Sequence, residues 1–332
     1  MARTGAGYAF HDLHPGTGGF LEDVMAGLAR PQKELPPKYF YDARGCALFD
    51  AICEAPEYYL TRAELALMRA SAADMARRLG PGCVLIEFGS GSARKTRILI
   101  EAAAPAVYMP IDIARDQLET VAGDLARDFP GLAVVAVCAD YSQPLALPEA
   151  GAPGSRRRVI YFPGSTIGNL TPSEAAAFLR NAGSLAGAGG AILIGIDLRK
   201  DKARLDAAYN DARGVTAEFN LNLLGRINRE LGADFDLAAF RHRAYYDEAR
   251  GRVEMHLVSV RAQTVSINGR RFRFEPGETI HTENSYKYSV EGFRELCGGA
   301  GLAPVECWTD PERLFAVHYL TVPGGHQQGS SR

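Results

Sequence analysis

The stretch Cys83-Val-Leu-Ile-Glu-Phe-Gly-Ser-Gly-Ser-Ala-Arg-Lys-Thr96 constrains the fold of this chain more than any other. An apolar run stops at a glycine-rich turn, and a helical pattern starts directly after it. A short apolar segment such as residues 83–88 fits a strand buried on both faces, as in parallel sheets covered by helices. Gly89 and Gly91 carry no side chain and tolerate positive φ, so the backbone can bend sharply there and lie close to a ligand. Ser92 is read as the N-cap of a helix over about 93–103. A Gly-x-Gly pair alone fits a plain strand-to-helix connection as well as a binding loop.

The segments that follow extend the pattern. Strand-like runs at 107–113, 133–139, 158–164 and 191–198 alternate with helical patterns at 114–129 and from Thr171 to about Leu185. Thr171-Pro-Ser-Glu174 carries an N-cap, a first-turn proline and a capping-box glutamate. This alternation predicts right-handed crossovers and a doubly wound, Rossmann-like α/β sheet. Upstream, residues up to about Gly19 show no clear period, while 20–28 and 63–78 have apolar residues at helical spacing. Between those helices lie Leu35-Pro-Pro-Lys-Tyr-Phe-Tyr-Asp42 and Glu54-Ala-Pro-Glu-Tyr-Tyr-Leu-Thr-Arg62. Their tyrosines fit either a loop pinned to the core or a tyrosine-lined pocket.

The pattern changes at Arg199. Residues 200–230 are polar-rich and helical, and 240–246, 252–267 and 270–275 are alternating strands, with Asn268-Gly269 as a hairpin turn. This α+β segment is read as a second, inserted domain. Residues 288–300 are again helical, and 302–308 and 313–322 read as strands returning to the sheet. The Gly, Gln and Ser-rich tail, 323–332, is expected to be disordered.

With 332 residues, 47% of them hydrophobic, the chain can build a large core. A formal charge of −2 with interspersed signs leaves no basic stripe for a nucleic acid. No apolar run approaches the roughly 20 residues that span a bilayer, and no signal-peptide pattern is present. The expectation is a cytoplasmic monomer acting on a small molecule, with no nucleic-acid or membrane partner. The six cysteines form no Cys-x-x-Cys pair or Cys/His cluster, so neither a metal nor a disulfide is expected. The seven histidines join no plausible catalytic triad.

Ligands of open α/β sheets sit at the carboxyl ends of the strands. The glycine turn, Asp112 and Asp140-Tyr141 all fall at such ends. An acidic residue about 20 positions after the glycines suits vicinal ribose hydroxyls. Ala93, Arg94 and Lys95 stand where a dinucleotide site needs a third glycine, which argues for a nucleoside without phosphates. Asp140 beside Tyr141 suits an adenine. S-Adenosylmethionine fits this set better than NAD.

The Gly89-Ser90-Gly91 turn, Asp112 and Asp140 resemble the pattern of class I methyltransferases. More specific are Leu35-Pro-Pro-Lys-Tyr-Phe-Tyr-Asp42, Pro56-Glu-Tyr-Tyr59 with Thr61-Arg62, Glu87-Phe-Gly-Ser-Gly-Ser92 with Lys95-Thr96, Phe162-Pro-Gly-Ser-Thr-Ile-Gly-Asn169 and Thr282-Glu-Asn-Ser285. Together, over 20–322, these resemble the L-histidine Nα-methyltransferases of ergothioneine biosynthesis, which convert histidine to its trimethylammonium betaine, hercynine. The resemblance implies a methyltransferase domain over 61–198 plus 287–322 and a substrate-binding domain over 10–60 plus 199–286. It implies that Gly89, Ser90, Gly91, Lys95, Asp112, Asp140 and Tyr141 hold S-adenosylmethionine. It further implies that Tyr58, Asn169 and Tyr209 bind the amino and carboxylate end of the substrate, that Glu283 and Ser285 hold the imidazole with Met255 packed nearby, and that Tyr41 is the catalytic residue beside the amine.

Each residue has a plainer reading. Asn169 can be a turn former before the Thr171 helix, Tyr209 a packing tyrosine, Glu283 an edge charge, Met255 a core filler and Lys95 a solvated helix residue. Two other functions stand beside the histidine reading: methylation of another free amino acid such as tryptophan, and a non-catalytic cofactor-binding module. Glu283 with Met255 speaks for histidine, because a buried carboxylate rejects substrates without a matching N–H donor. Phe162-Pro-Gly-Ser165 replaces the Asn/Asp-Pro-Pro-aromatic signature of nucleic-acid methyltransferases.

Overall fold

In the computed structural model, which describes residues 2–5, 7–13, 19–141, 145–149 and 156–324, the chain opens with a hairpin of β1 (Ala2–Gly5) and β2 (Tyr8–Asp12). Helix α1 (Phe20–Leu28), the short strand β3 (Lys33–Glu34) and a 3₁₀ turn at Pro37–Phe40 follow. Helices α2 (Ala43–Cys53) and α3 (Tyr59–Leu79) then lead into the alternating region. It runs β4 (Val84–Phe88), α4 (Arg94–Ala103), β5 (Val107–Asp112), α5 (Arg115–Asp128), β6 (Ala133–Cys138), β7 (Arg158–Phe162), α6 (Pro172–Ala186) and β8 (Ala191–Asp197). Helices α7 (Lys202–Ala208) and α8 (Val215–Leu231) precede the antiparallel strands β9 (Phe240–Asp247), β10 (Arg252–Ser259), β11 (Gln263–Ile267), β12 (Arg270–Phe274) and β13 (Thr279–Tyr286). Helix α9 (Val290–Gly299) and strands β14 (Ala303–Thr309) and β15 (Phe315–Thr321) close the chain.

Among the described residues the large sheet has nine strands in the order β1-β2-β6-β5-β4-β7-β8-β15-β14. The pairs from β2 to β8 are parallel, and β15 returns antiparallel to β8. The direction of winding reverses between β4 and β7, so a crevice opens at their carboxyl ends. Strand β4 is buried throughout because both faces are covered. Leu85 packs with Leu99 and Leu118 of α4 and α5, whereas Ile86 and Phe88 pack with Leu179 of α6 and Phe293 of α9. This is the period of two expected for a strand between two helical layers.

Two local features differ from the sequence reading. Tyr8–Asp12, without a period in the sequence, runs as a strand parallel to β6. Ser92 is exposed and does not cap α4; the N-cap is Ala93, at a left-handed φ of 53°, with no side-chain cap bond. With Gly91 at φ 46° and Ala93 also left-handed, the turn is one residue longer than a serine cap would make it, and the helix starts at Arg94. The capping box at Thr171 forms: the Glu174 N–H donates to Thr171 Oγ1, and the Thr171 N–H donates to Glu174 Oε2 at 2.8 Å. The Asn268-Gly269 hairpin turn also forms, both residues having positive φ as a type I′ turn requires.

A four-stranded sheet, β3-β13-β10-β9, carries α8 on one face. Its core joins Phe219, Leu223 and Ile227 of α8 to Val253, Met255 and Leu257 of β10, with Phe40 and Ile280. The two sheets meet where Leu198 bridges Tyr288 and the Tyr288 N–H donates to the Asp197 carbonyl at 3.0 Å. Residues 325–332 of the tail lie outside the described residues. Among the described residues no helix is long and apolar enough to cross a membrane.

Candidate active site

The carboxyl end of β4 is the starting point. Gly89 has φ 72°, and a Cβ there would lie 3.4 Å from the Tyr141 hydroxyl oxygen, so glycine lets Tyr141 fold over the turn. Tyr141 stacks on Phe88 with ring centroids 5.4 Å apart and meets Phe162 edge-on at 5.9 Å. The Ser90 hydroxyl is buried with no hydrogen-bond partner among the described residues. Asp112, ending β5, accepts from the Ala114 N–H at 2.9 Å and from the Gly91 N–H at 3.4 Å. Burial raises its pKa, partly offset by those backbone donors. Beneath the turn, Glu87 accepts from Thr96 and Tyr108, and burial lifts its pKa to about 8.

Lys95 is not a solvated helix residue. Its Nζ lies 2.7 Å from Glu64, a buried carboxylate that also accepts from the Gly164 N–H at 3.0 Å. The cation is therefore anchored where β7 ends. Asp140 receives Lys38 Nζ at 3.2 Å, which ties the 3₁₀ turn of the aromatic segment to the end of β6.

Opposite this crevice stands an aromatic wall. Tyr41 meets Phe49 and Phe219 edge-on at 5.8 and 5.9 Å, Phe49 meets Tyr58 at 6.4 Å, and Tyr58 meets Tyr209 at 6.2 Å. Burial raises the pKa of Tyr41 and, behind it, the charges of Glu283 and Tyr141 act on the same hydroxyl. Tyr58 is raised likewise by burial, then by Tyr209, Cys53 and Glu283.

Strand β13 supplies the floor. Its pairing with β10 slips after Met255, so Met255 faces Glu283 while His256 faces His281. The extra residue, Thr282, makes a β-bulge, a device that re-aims side chains. Buried Ile280 precedes it, and Glu283, Ser285 and Lys287 alternate after it. Tyr209, following α7, donates to Ser285 Oγ at 2.8 Å. Burial lifts Glu283 to a pKa of about 7 against the pull of Lys287. Asn169 ends the 3₁₀ turn Thr166–Asn169, which presses on β13 so closely that a Cβ at Gly168 would be 2.8 Å from the Tyr286 carbonyl oxygen.

The match to a described family decides what kind of site this is: "Histidine-specific methyltransferase, SAM-dependent" covers residues 20–322. The chain belongs to this family. It is 42% identical over 302 residues to the histidine N-alpha-methyltransferase of Mycolicibacterium smegmatis, covering 89% of this chain and 92% of that one. The corresponding protein of Mycobacterium tuberculosis is 41% identical with the same coverage. Ergothioneine biosynthesis protein 1 of Neurospora crassa is 32% identical over 90% of this chain, which spans 35% of that longer protein.

S-Adenosylmethionine is the cofactor of this methyltransferase, and the crevice fits it. A carboxylate at Asp112 suits ribose hydroxyls, the unpartnered Ser90 hydroxyl and the Tyr141 ring suit the nucleoside, and the Lys95 cation suits a carboxylate. The sequence reading missed several polar residues of this histidine-specific methyltransferase. Asp197 and Lys287 are fully buried and paired at 2.7 Å, and Glu64 anchors Lys95. Asp197 ends a buried strand as Asp112 does, which is the signal that marks it. Phe49 and Phe219 complete the aromatic wall.

One further His/Glu group lies on the other face of the second sheet. Ligand atoms of Glu254, His256 and His281 fall within 4.8 Å of one another. Arg250, Arg252, Tyr245 and His256 already occupy both Glu254 oxygens, and Glu254 has a pKa of about 2 despite burial. That group is an ion-pair network tying β9 to β10.

Proposed function

We propose that this protein methylates the α-amine of L-histidine three times, giving hercynine as a step of ergothioneine biosynthesis. The observation that carries the reading is the alternation of Glu283 and Ser285 on one face of β13, with Met255 opposite Glu283. In this reading residues 61–198 plus 287–322 hold the cofactor, and 10–60 plus 199–286 hold the substrate. The six cysteines are free thiols, which suits a reducing cytoplasm.

S-Adenosylmethionine supplies an electrophilic methyl group on a sulfonium. Gly89, Ser90, Gly91, Asp112, Asp140 and Tyr141 hold its adenosine, and Lys95 its carboxylate. Tyr58, Asn169 and Tyr209 hold the amino and carboxylate end of histidine. Glu283 accepts an imidazole N–H in a charge-assisted bond, and a substrate without that donor leaves a buried carboxylate unpaired. Met255 packs against the ring. The amine must be neutral to attack, and an α-amino group ordinarily has a pKa of about 8, so the site needs to favour the neutral form rather than supply a strong base. Tyr41 stays protonated, since burial and Glu283 oppose its ionisation, and it relays the amine proton: its hydroxyl oxygen accepts that proton while its own hydrogen passes to solvent water. Holding the reactants in line contributes roughly 7–11 kcal/mol where alignment is good. The tyrosine faces tolerate an increasingly methylated cation.

The test is mass spectrometry of the purified protein with S-adenosylmethionine and an equimolar panel of free amino acids. Histidine gaining three methyl groups is the expected result. Methylation of another amino acid overturns the role of Glu283, and cofactor binding without any product leaves a binding module.

A further inference from the structure

Lys287 has its entire ammonium inside the protein. Its Nζ lies 2.7 Å from Asp197 Oδ2, 2.9 Å from the Tyr209 hydroxyl and 2.9 Å from Ser285 Oγ. An ammonium has three hydrogens and no lone pair, so all three are committed and both hydroxyl oxygens are acceptors. The Tyr209 hydroxyl then donates its own hydrogen to Ser285 Oγ at 2.8 Å. A phenol is a better donor than an aliphatic alcohol, which fixes that direction. Ser285 Oγ has two lone pairs, and Lys287 and Tyr209 now occupy both. What Ser285 retains is a hydrogen to donate, on the strand face where Glu283 stands two residues away.

We infer that Lys287 is a positioning residue that locks Ser285 as a hydrogen-bond donor, so that the pocket accepts the substrate imidazole only in its neutral form. One ring nitrogen accepts from Ser285, and the other donates to Glu283. The inference rests on the proposed placement of the imidazole between those two side chains. Alternate residues of a strand are about 6.6 Å apart, and two ring nitrogens about 2.2 Å apart with a bond of about 2.8 Å on each side span about 7–8 Å, a difference of about 1 Å that the longer Glu283 side chain takes up. An imidazolium would aim a second N–H at Ser285, which has no lone pair left, and a buried donor without an acceptor is disfavoured.

The neighbouring charges do not blur this choice. Asp197 neutralises Lys287 and is backed by Lys200 and Tyr59. Tyr41, Tyr58 and Tyr209 face the pocket and are kept protonated by burial. Burial lowers the pKa of His242, which is bonded to the Tyr209 carbonyl. Lys200 has a pKa of about 8 through burial, offset by Asp197, so below pH 7 it is charged. Burial also lowers the pKa of His281, bonded to the Glu283 carbonyl, so the groups expected to change most between pH 5.5 and 7 are Glu283 and the bound ring.

The experiment is nitrogen-15 NMR of ring-labelled L-histidine bound to the full-length protein with S-adenosylhomocysteine, at pH 5.5 and pH 8. Free imidazole is mostly charged at pH 5.5, its ordinary pKa being about 6.5. The expected spectrum of the bound ring has one pyridine-type and one pyrrole-type nitrogen at both pH values. In Lys287→Met, Ser285 regains a lone pair, and the bound ring at pH 5.5 shows two pyrrole-type nitrogens. A change of fold alone would weaken binding without changing the protonation of whatever ring is bound. Two pyrrole-type nitrogens in the unaltered protein at pH 5.5 overturn the inference, and that spectrum is decisive even where Lys287→Met does not fold. If histidine does not bind, or binds equally well to Glu283→Gln, the imidazole placement fails and the inference falls with it. A bound, Glu283-dependent imidazolium sinks only the role of Lys287.

Discussion

Met255 stands directly opposite Glu283 across the β10–β13 ladder, and the register slips by one residue immediately beyond them. The slip leaves Thr282 unpaired in the ladder, and its hydroxyl donates to Asn220 Oδ1 at 2.8 Å and lies 3.1 Å from the Met255 carbonyl. Because side chains alternate along a strand, one extra residue moves everything after it to the opposite face. The bulge therefore decides where Glu283 and Ser285 point. Thr282→Val keeps the shape and leaves the buried Asn220 carbonyl short of a donor. A loss of about 1–3 kcal/mol of stability is expected, together with a raised KM for histidine and unchanged affinity for S-adenosylmethionine. Equal loss of both affinities would show that the bulge does not act on the substrate side specifically.

Glu283 also sets a trade between stability and binding. Its folded-state pKa of about 7 lies above the ordinary value of 4.5, with burial as the cause. The unfolded chain ionises first, so the contribution of Glu283 to stability is fully present below pH 4.5 and is lost as pH rises through about 7. The loss amounts to roughly 3 kcal/mol at most, at 1.36 kcal/mol per unit. Glu283→Gln cannot ionise. It should melt at a higher temperature than the unaltered protein at pH 8, with the gap closing by pH 5, while histidine affinity falls. Melting curves without ligand across that range check this; a gap independent of pH would remove ionisation as its cause.

Gly168 carries the contact between the 3₁₀ turn and β13. An alanine methyl there meets the Tyr286 carbonyl oxygen at 2.8 Å and its nitrogen at 3.1 Å, both backbone atoms that cannot swing aside. Gly168→Ala should push Asn169 away from β13 at a cost of about 1–3 kcal/mol. Histidine binding should weaken at least tenfold while S-adenosylmethionine still binds, as calorimetric titration of each ligand would read out.

How far the sequence discloses this arrangement depends on the range of the interaction. Strand β4 announces itself because burial on both faces makes it a continuous apolar run, and Thr171 and Glu174 announce α6 because a capping box is local. Tyr8–Asp12 gives no such signal: its place is fixed by pairing with β6, far along the chain. The bulge at Thr282 is equally silent, since it exists only as a mismatch between β10 and β13. Lys287 and Asp197 are distant in sequence and become a pair only when β13 ends against β8. The motif resemblance singles out Glu283 and Ser285; the Lys287 ammonium bonded to Ser285 comes into view only with the packing.

Tyr41 offers the sharpest test of the chemical step. Phe49 and Phe219 hold its ring edge-on at 5.8 and 5.9 Å, so the ring should stay in place when its hydroxyl is removed. In Tyr41→Phe both ligands should bind with near-normal affinity. The single-turnover rate should fall by roughly 10²–10⁴-fold, the usual contribution of a positioned acid or base. In the proposed relay Tyr41 takes a proton from an amine that is largely charged at neutral pH, so raising the pH should recover part of the lost rate as more amine becomes neutral. A single-turnover rate equal to that of the unaltered protein would assign the proton to another group, and a rate loss that no pH recovers would make Tyr41 an orienting side chain rather than a relay.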